Sequence, residues 1–467
     1  MIALPLVDVA RLAGGRLADG ADGQALVTGP VVADSRRVVP GALFVAVSGA
    51  RVDGHEFATA ALADGAVAVL ASRPVGVPAV VVDDTVLALG RLAHGYLDRL
   101  AEPVVIGITG SSGKTSTKDI VGQLLAGAGP TITPEGSFNT EIGLPLTVLR
   151  ADADTRFLVL ENSARGVGHI AYLCEIARPD IAVVLNVGAA HLGEFGSREV
   201  VAKAKGELVE GLASDGVAVL NADDPLVLAM RDRTTSRLTT FGLSADADVR
   251  AVDVRLDDLA RPSFTLATAA GSAGVTMALH GAHQVPNALA AAAVALESGL
   301  DIAAIADALA QVVPLSKWRM QVSTRSDGLT VVNDAYNANP DSVRAALQAL
   351  AAMAAGGRRT SAVLGPMAEL GEQSDAAHRE IGIAVAHLRI DRLVVVGAAA
   401  RGIAEGALGA GADRDAVIEV ADAAEAAAVL RDGLGRLDVV LVKASRSADL
   451  QRVADTLLEA PTSGAGR

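Results

Sequence analysis

From Pro103 onward, short apolar runs alternate with stretches of helical periodicity. PVVIGITG reads as a buried strand and KTSTKDIVGQLLAG as the helix that follows it. RFLVLE, DIAVVLNV and DGVAVLNADD repeat the strand signature, each closing near a polar residue. Runs that are apolar on both faces and separated by helices predict a parallel sheet covered on both sides. Between about 246 and 281 the rhythm becomes strand–strand (VRAVDVRL, FTLAT, VTMALHG), which predicts an antiparallel appendage. NALAAAAVALESG and IAAIADALAQVV are predicted helices. A further unit starts near Leu315, with LTVVN, TSAVLG, RLVVVG and DVVLVKAS as strands between alanine-rich helices. Upstream, residues from about 28 to 85 read as a small α/β unit. Glu102-Pro103 is a natural boundary, and the tail APTSGAGR is expected to be disordered. The prediction is an α/β chain of three domains. Residues 1–102 form a small N-terminal α/β domain, 103–314 a central P-loop-type domain with a parallel sheet, and 315–467 a C-terminal Rossmann-like α/β domain.

Composition sharpens this picture. Hydrophobic residues make up 51% of the 467, but aromatics only 2%, so the cores are built from Ala, Val, Leu and Ile. Acids exceed bases by 54 to 40, a net charge of −14, and no basic stripe is visible. General nucleic-acid binding is therefore not expected. The single cysteine forbids an internal disulfide or a multi-cysteine metal site. Asp8 and Arg11 interrupt the only N-terminal apolar segment, and no run of about 18 purely apolar residues occurs. A cytoplasmic protein without membrane insertion is expected.

The strongest chemical signal is Gly110-Ser111-Ser112-Gly113-Lys114-Thr115-Ser116, between the strand VVIGIT and a helix. Backbone N–H groups of such a loop cradle phosphate oxygens at a helix N-terminus. Lys114 would reach the β- and γ-phosphates, and the Thr115 hydroxyl would ligate Mg²⁺. The strict form of this motif has glycine where Ile108 stands. Glu161, at the tip of RFLVLE, is placed to hold magnesium. His191 follows IAVVLNVGAA, and Lys203 and Lys205 lie on a predicted helix. These three stay unassigned on residue chemistry alone, because a lysine is no metal ligand unless its charge is removed. Asp334-Ala-Tyr336-Asn337-Ala-Asn339-Pro340 is rich in hydrogen-bonding side chains and is equally readable as an Asn/Pro turn. Trp318-Arg319-Met320 holds the only Trp beside a potential phosphate clamp. Lys443-Ala-Ser445-Arg446 offers two cations, and His283 and Asn287 precede an alanine-rich helix.

In order, these motifs resemble the Mur ligase family of peptidoglycan synthesis from about residue 31 to 450. The stretches are DSRRVVPGALFVAVSGARVDGHEF, TGSSGKTS, GSFNTEIGLPLTVLR, NVGAAHLGEFGS, VAKAKGE, LNADDP, NDAYNANPDS, AELGE and VKASR. TGSSGKTS is the family's own form of the phosphate loop. AYNANP resembles the branch that joins D-alanyl-D-alanine to UDP-N-acetylmuramoyl-tripeptide. The resemblance implies an ATP-dependent ligase with two Mg²⁺ ions, acting as a monomer. By matching positions it implies that Lys114 and Thr115 hold the triphosphate and one magnesium. Glu161 and His191 would bind metal, and Lys205 would do so as a carbamate, with Lys203 the less favoured choice. Asn287, Arg319, Asp334 and Tyr336 would contact the nucleotide. Asn139, Thr140, Glu141, Asn337, Asn339, Lys443, Ser445 and Arg446 would meet the substrates, and Ser35, Arg36, Asp53, Gly54 and His55 would bind the uridine end.

Three positions depart from the family pattern. Asn162-Ser163 stand where Met-Gly or Leu-Gly is expected, Pro366 replaces an acid, and Ala444 replaces a glycine. Three other readings remain at this level. The first is a Mur or folylpolyglutamate-type ligase that adds a single amino acid, and the second is a non-catalytic nucleotide-binding relative. The third, a GTPase-type switch, is disfavoured because Asn221-Ala-Asp-Asp lacks the lysine of the guanine motif.

Overall fold

The computed structural model describes residues 2–459 apart from 19, 50, 51, 189–191 and 432. Three main sheets organise the described chain. The largest has nine strands. Its central strands, Val104–Thr109, Phe157–Glu161, Ile181–Val184 and Val217–Asn221, pair in parallel. Alternate residues feed opposite layers, as a pleat requires. Ile106, Ile108, Val183 and Val219 pack with helices Lys114–Ala126 and Gln284–Glu297. Ala182, Val184, Ala218 and Leu220 pack with His169–Ile176 and Arg198–Glu210. Ala288 to Ala295 in helix Gln284–Glu297 are buried on every side, so the run reads as nearly all apolar.

The antiparallel appendage is present as Val249–Leu256, Pro262–Thr268 and Gly271–Thr276. Its last strand begins earlier than VTMALHG suggested and ends at Thr276, before the chain leaves the sheet. The N-terminal sheet has five strands and is covered by helix Thr85–Leu97, which Asp84 caps through the amides of Val86 and Leu87. The core of this unit is continuous with the central one. Leu89, Leu92 and Tyr96 share a cluster with Leu144, Leu158 and Leu173. The Tyr96 hydroxyl donates to Ala151 O at 2.6 Å.

The C-terminal sheet has six strands and two core clusters, one of which also takes in Ala260 of the central unit. Two edges had no sequence signal. Gln321–Thr324 pairs antiparallel with Thr330–Asn333, and Val417–Val420 pairs parallel with Arg392–Val396. NANPDS is a helix start rather than a simple turn. Asn339 caps Pro340–Ala352 in a reciprocal box with Ser342, with Pro340 in the first turn. This unit meets the central one through Ala260, which packs into its core, and through hydrogen bonds such as those of Asn339 to Ser111 O and of Asp119 and Gln123 to the segment before Arg319. The tail 460–467 lies outside the described residues.

Candidate active site

A cavity of about 410 Å³ opens where the parallel strands end and the C-terminal unit faces them. This is the usual position of a ligand in an open α/β sheet. The phosphate loop forms its floor from Ser111 to Ser116. Gly113 takes φ +82° at the start of helix Lys114–Ala126, a conformation in which a side chain is strained. A Cβ there would also meet Asn287 Oδ1 at 2.5 Å. Asn186 braces the loop. Its Oδ1 accepts from the amides of Ser111 and Ser112 at 2.9 and 3.0 Å, and its Nδ2 donates to Ser112 O at 3.2 Å. Sequence reasoning missed Asn186; its only signal was its place at the end of IAVVLN.

Lys114 Nζ donates to Gly110 O at 2.7 Å, and burial is the main cause holding its amine below the ordinary lysine range. The Thr115 hydroxyl donates to Glu161 Oε2 at 2.9 Å. Asn139 Nδ2 donates to Glu161 Oε1 at 2.8 Å. Glu161 is 1% exposed, so strand, loop and helix converge on one buried carboxylate. Thr140 and Glu141 line the same wall. Asn287 is tied to the loop helix through Thr117 Oγ1 at 3.2 Å. Asn162 is buried beside Gly107, and its Oδ1 has no partner.

From the C-terminal side come Arg319, Asp334, Tyr336, Asn337, Asn339 and Lys443. The Arg319 guanidinium lies 4.3 Å from the Tyr336 ring centre and donates to Ser137 Oγ at 3.0 Å. Lys443 Nζ pairs with Asp334 Oδ2 at 2.5 Å and donates to Asn337 O at 3.0 Å. Asn339 Nδ2 reaches Ser111 O at 3.5 Å, bridging the two units at the phosphate loop. Ser445 and Arg446 stand just outside the cavity. The Ser445 hydroxyl accepts from Ala368 N at 2.9 Å, and Arg446 stacks over Trp318 at 4.3 Å.

Lys205 is 5% exposed and does not line the cavity, whereas Lys203 is exposed. Burial first, and the charge of Lys114 second, hold the Lys205 amine well below its ordinary range. His191 lies outside the described residues. Arg165, His169 and Glu369, which sequence reasoning did not single out, also face the cavity. His283 lines it too; burial lowers its ring to about 4, and its Nδ1 has no partner.

The N-terminal candidates are not in this cavity. Asp34 grips Arg36 through two side-chain bonds of 2.9 and 2.7 Å, and that pairing lowers the acid to about 2. Ser35 opens the short helix that Asp34 caps. Asp53 caps Gly54–Phe57 and binds His55 Nδ1 at 2.6 Å and Arg73 at 2.7 Å, which hold it well below the carboxylate range. His55 Nε2 accepts from Ser72 N at 2.9 Å, so both ring nitrogens are engaged inside the protein. A second cavity of about 390 Å³ runs past Asp34, Arg37, Glu135 and Phe138 and shares Ser137 and Thr140 with the first.

A braced phosphate loop, a buried strand-end carboxylate and a second α/β unit facing both define a phosphate-loop protein of the ligase type. The chain belongs to the Mur ligase family. The model of the Mur ligase middle domain matches residues 108–295, that of the Mur ligase, glutamate ligase domain 318–446, and that of the Mur ligase family, catalytic domain 30–96. A Mycobacterium tuberculosis (strain ATCC 25618 / H37Rv) protein named UDP-N-acetylmuramoyl-tripeptide–D-alanyl-D-alanine ligase is 50% identical, with 100% of both chains covered. An Escherichia coli (strain K12) protein of the same name is 38% identical over 98% of this chain and 99% of its own. A crystal structure of MurF from Acinetobacter baumannii superposes with TM-score 0.88 at 31% identity, covering 98% of this chain and 99% of that one. MurF ligase from Thermotoga maritima in complex with ADP gives 0.80 at 32% identity, covering 93% and 98%.

Proposed function

We propose that this chain is an ATP-dependent ligase that joins D-alanyl-D-alanine to UDP-N-acetylmuramoyl-tripeptide in peptidoglycan precursor synthesis. The observation that carries the reading is the convergence of the Lys114-Thr115 loop on Glu161, in a chain matched end to end by relatives of that name. A carboxylate is a poor acyl donor, because oxide is a poor leaving group. In the proposed reaction an oxygen of the tripeptide's terminal carboxylate attacks the γ-phosphorus, and ADP leaves with the electrons of the broken P–O bond. The dipeptide's amine then attacks the acyl carbon. The C–O bond breaks, phosphate leaves, and the nitrogen loses a proton as the amide forms.

The residues divide this work by position. The loop amides and Lys114 hold the phosphates and offset charge on the transferring group. Asn287, from helix Gln284–Glu297, and Arg319, from the C-terminal side, hold the nucleotide, with Asp334 and Tyr336 at the C-terminal wall. Asn139, Thr140 and Glu141 line the first cavity, and Thr140 lines the second as well, which suits the sugar-nucleotide end. Ser35, Arg36 and the Asp53–His55 segment support the uridine end from the N-terminal unit. Two oxygen donors at the foot of the loop fit a hard cation that takes its other ligands from phosphates and water. Among the described residues no three His, Cys, Asp or Glu side chains cluster as a metal site. Glu161 and Thr115 would hold Mg²⁺, which supplies charge neutralisation at the transferring phosphoryl group. A buried amine kept below its ordinary range, with Lys203 exposed, supports carbamylation at Lys205. A ¹³C-bicarbonate carbamate resonance that vanishes in Lys205→Met tests it.

The three sheets support domain divisions at 1–102, 103–314 and 315–467. No described helix is long and apolar enough to cross a membrane, and we place the reaction in the cytoplasm. Phosphate release from ATP and Mg²⁺ with UDP-muramoyl-tripeptide tests the function. Release must require D-alanyl-D-alanine; release that needs only D-alanine favours a ligase adding one amino acid, and no release under any acceptor refutes catalysis.

A further inference from the structure

The helix that opens with Lys114 and Thr115 makes a second set of contacts one to three turns further on, away from the reaction cavity. Lys118 and Asp119 form an ion pair of 2.5 Å with side chains only 3% and 10% exposed. Lys118 Nζ also donates to Pro134 O at 3.1 Å, in the loop that leads to Ser137 and Asn139. Asp119 Oδ2 accepts from Ser316 N at 3.2 Å. One turn later Gln123 exchanges two hydrogen bonds of 3.0 Å with the backbone of Val313. The helix carrying the phosphate loop therefore grips the segment that leads into the C-terminal unit through three hydrogen bonds, at Val313 and Ser316.

That segment is conformationally loaded. Trp318 and Met320 take φ of +57° and +47°, left-handed values that side-chain-bearing residues hold only when the surroundings impose them. Between them sits Arg319, which reaches back to Ser137. Met320 N is fixed by Asp334 Oδ1 at 3.0 Å, and Tyr336 N by Trp318 O at 3.2 Å. A buried ion pair contributes little net stability, so its place here calls for another reason. The N-terminal unit is welded to the centre by a shared apolar core, whereas the two C-terminal cores take in only Ala260 from the central unit, beside this polar grip.

We propose that Asp119 is a positioning residue for the ligation. It anchors the segment 313–320 to the phosphate-loop helix and so fixes where Arg319 enters the site. Lys118 holds Asp119 in place and ties the same point to the substrate loop. Asp119 touches no reacting atom. The inference rests on the nucleotide reading above.

The only tryptophan of the chain, Trp318, lies on the gripped segment and reports it directly. The test uses the full chain as wild type, Asp119→Ala, Asp119→Asn and Gln123→Ala. Binding of labelled ADP, Trp318 fluorescence on adding ADP and Mg²⁺, and ligation kinetics are measured on each. Asp119→Ala should still bind ADP through the loop, but more weakly than wild type because Arg319 is misplaced, and should lose the Trp318 response, with kcat down about 10–100-fold, the scale of a small misplacement. KM for ATP should rise by less than kcat falls, because the loop's own contacts are intact and only the Arg319 share of nucleotide binding is lost. Asn keeps an acceptor for Ser316 N, so Asp119→Asn should recover most of kcat and the response, which a charge needed only for stability would not do. Gln123→Ala, at the more exposed end of the grip, should weaken the response in the same direction even if Asp119→Ala does not fold. A wild-type response and kcat in Asp119→Ala, or in Gln123→Ala should the first not fold, overturns the inference. So does an Asp119→Asn variant as impaired as Asp119→Ala. If wild type itself binds no ADP, the nucleotide reading falls and this inference with it.

Discussion

Replacing Lys443 by Met should destabilise the protein by about 3–5 kcal/mol, the cost of leaving one partner of a buried ion pair uncompensated. The structure sets this magnitude. The Lys443 and Asp334 side chains are 2% and 13% exposed, and the lysine is also bonded to Asn337 O. Without the amine, Asp334 keeps, among the described residues, the Met320 amide as a donor on Oδ1. Methionine fills most of the lysine's volume, so packing loss is small and the cost is chiefly electrostatic. Urea unfolding of wild type, Lys443→Met, Asp334→Asn and the double variant gives a full cycle. The double variant should recover a large part of the single loss, because neither charge is then left alone. A loss below about 1 kcal/mol in Lys443→Met would match an exposed pair and refute the claim that this one is buried and structural.

Other outcomes follow from the same geometry. Gly113→Ala faces a left-handed backbone cost of about 1–2 kcal/mol and a Cβ 2.5 Å from Asn287 Oδ1; calorimetry should show ADP affinity reduced at least about tenfold, and unchanged affinity would contradict the loop's geometry. His283 is lowered from 6.5 to about 4 by burial, so between those values the unfolded chain holds the extra proton. Its contribution is complete above pH 6.5 and lost toward pH 4, about 3 kcal/mol in all, and His283→Gln should flatten that part of the stability–pH profile. Glu161→Gln preserves the shape of the Thr115 and Asn139 contacts but removes charge, so the Mg²⁺ concentration for half-maximal activity should rise about tenfold or more; an unchanged magnesium requirement would count against Glu161 as a ligand.

Much of the architecture was legible because its signals are local. VVIGIT and FLVLE are apolar on both faces and end at polar positions, and IAVV runs on to Asn186, which fixes buried parallel strands and the rim where ligands bind. The phosphate loop is equally local, since its glycines and helix start are adjacent in sequence. Gln321–Thr324 and Val417–Val420 escaped because short edge strands with half-exposed residues carry little periodicity. Asn186 and Asp119 escaped for a different reason: each acts on a segment remote in sequence, so nothing near it announces the contact. From the sequence the AYNANP tract reads equally as ligand-binding or as a turn, and it is partly a helix cap, because the Asn339 side chain accepts from Ser342 N while facing the cavity.

The central claim is that this chain activates a peptide carboxylate as an acyl phosphate and passes it to D-alanyl-D-alanine. It is tested most directly with UDP-muramoyl-tripeptide whose terminal carboxylate carries ¹⁸O, incubated with ATP, Mg²⁺ and the dipeptide, followed by mass spectrometry of the released phosphate and of the peptide product. The account predicts one labelled oxygen in the phosphate for each amide formed, and a product heavier by the dehydrated dipeptide. Product formed without label in the phosphate, or ATP hydrolysis that proceeds equally without the dipeptide, would contradict it.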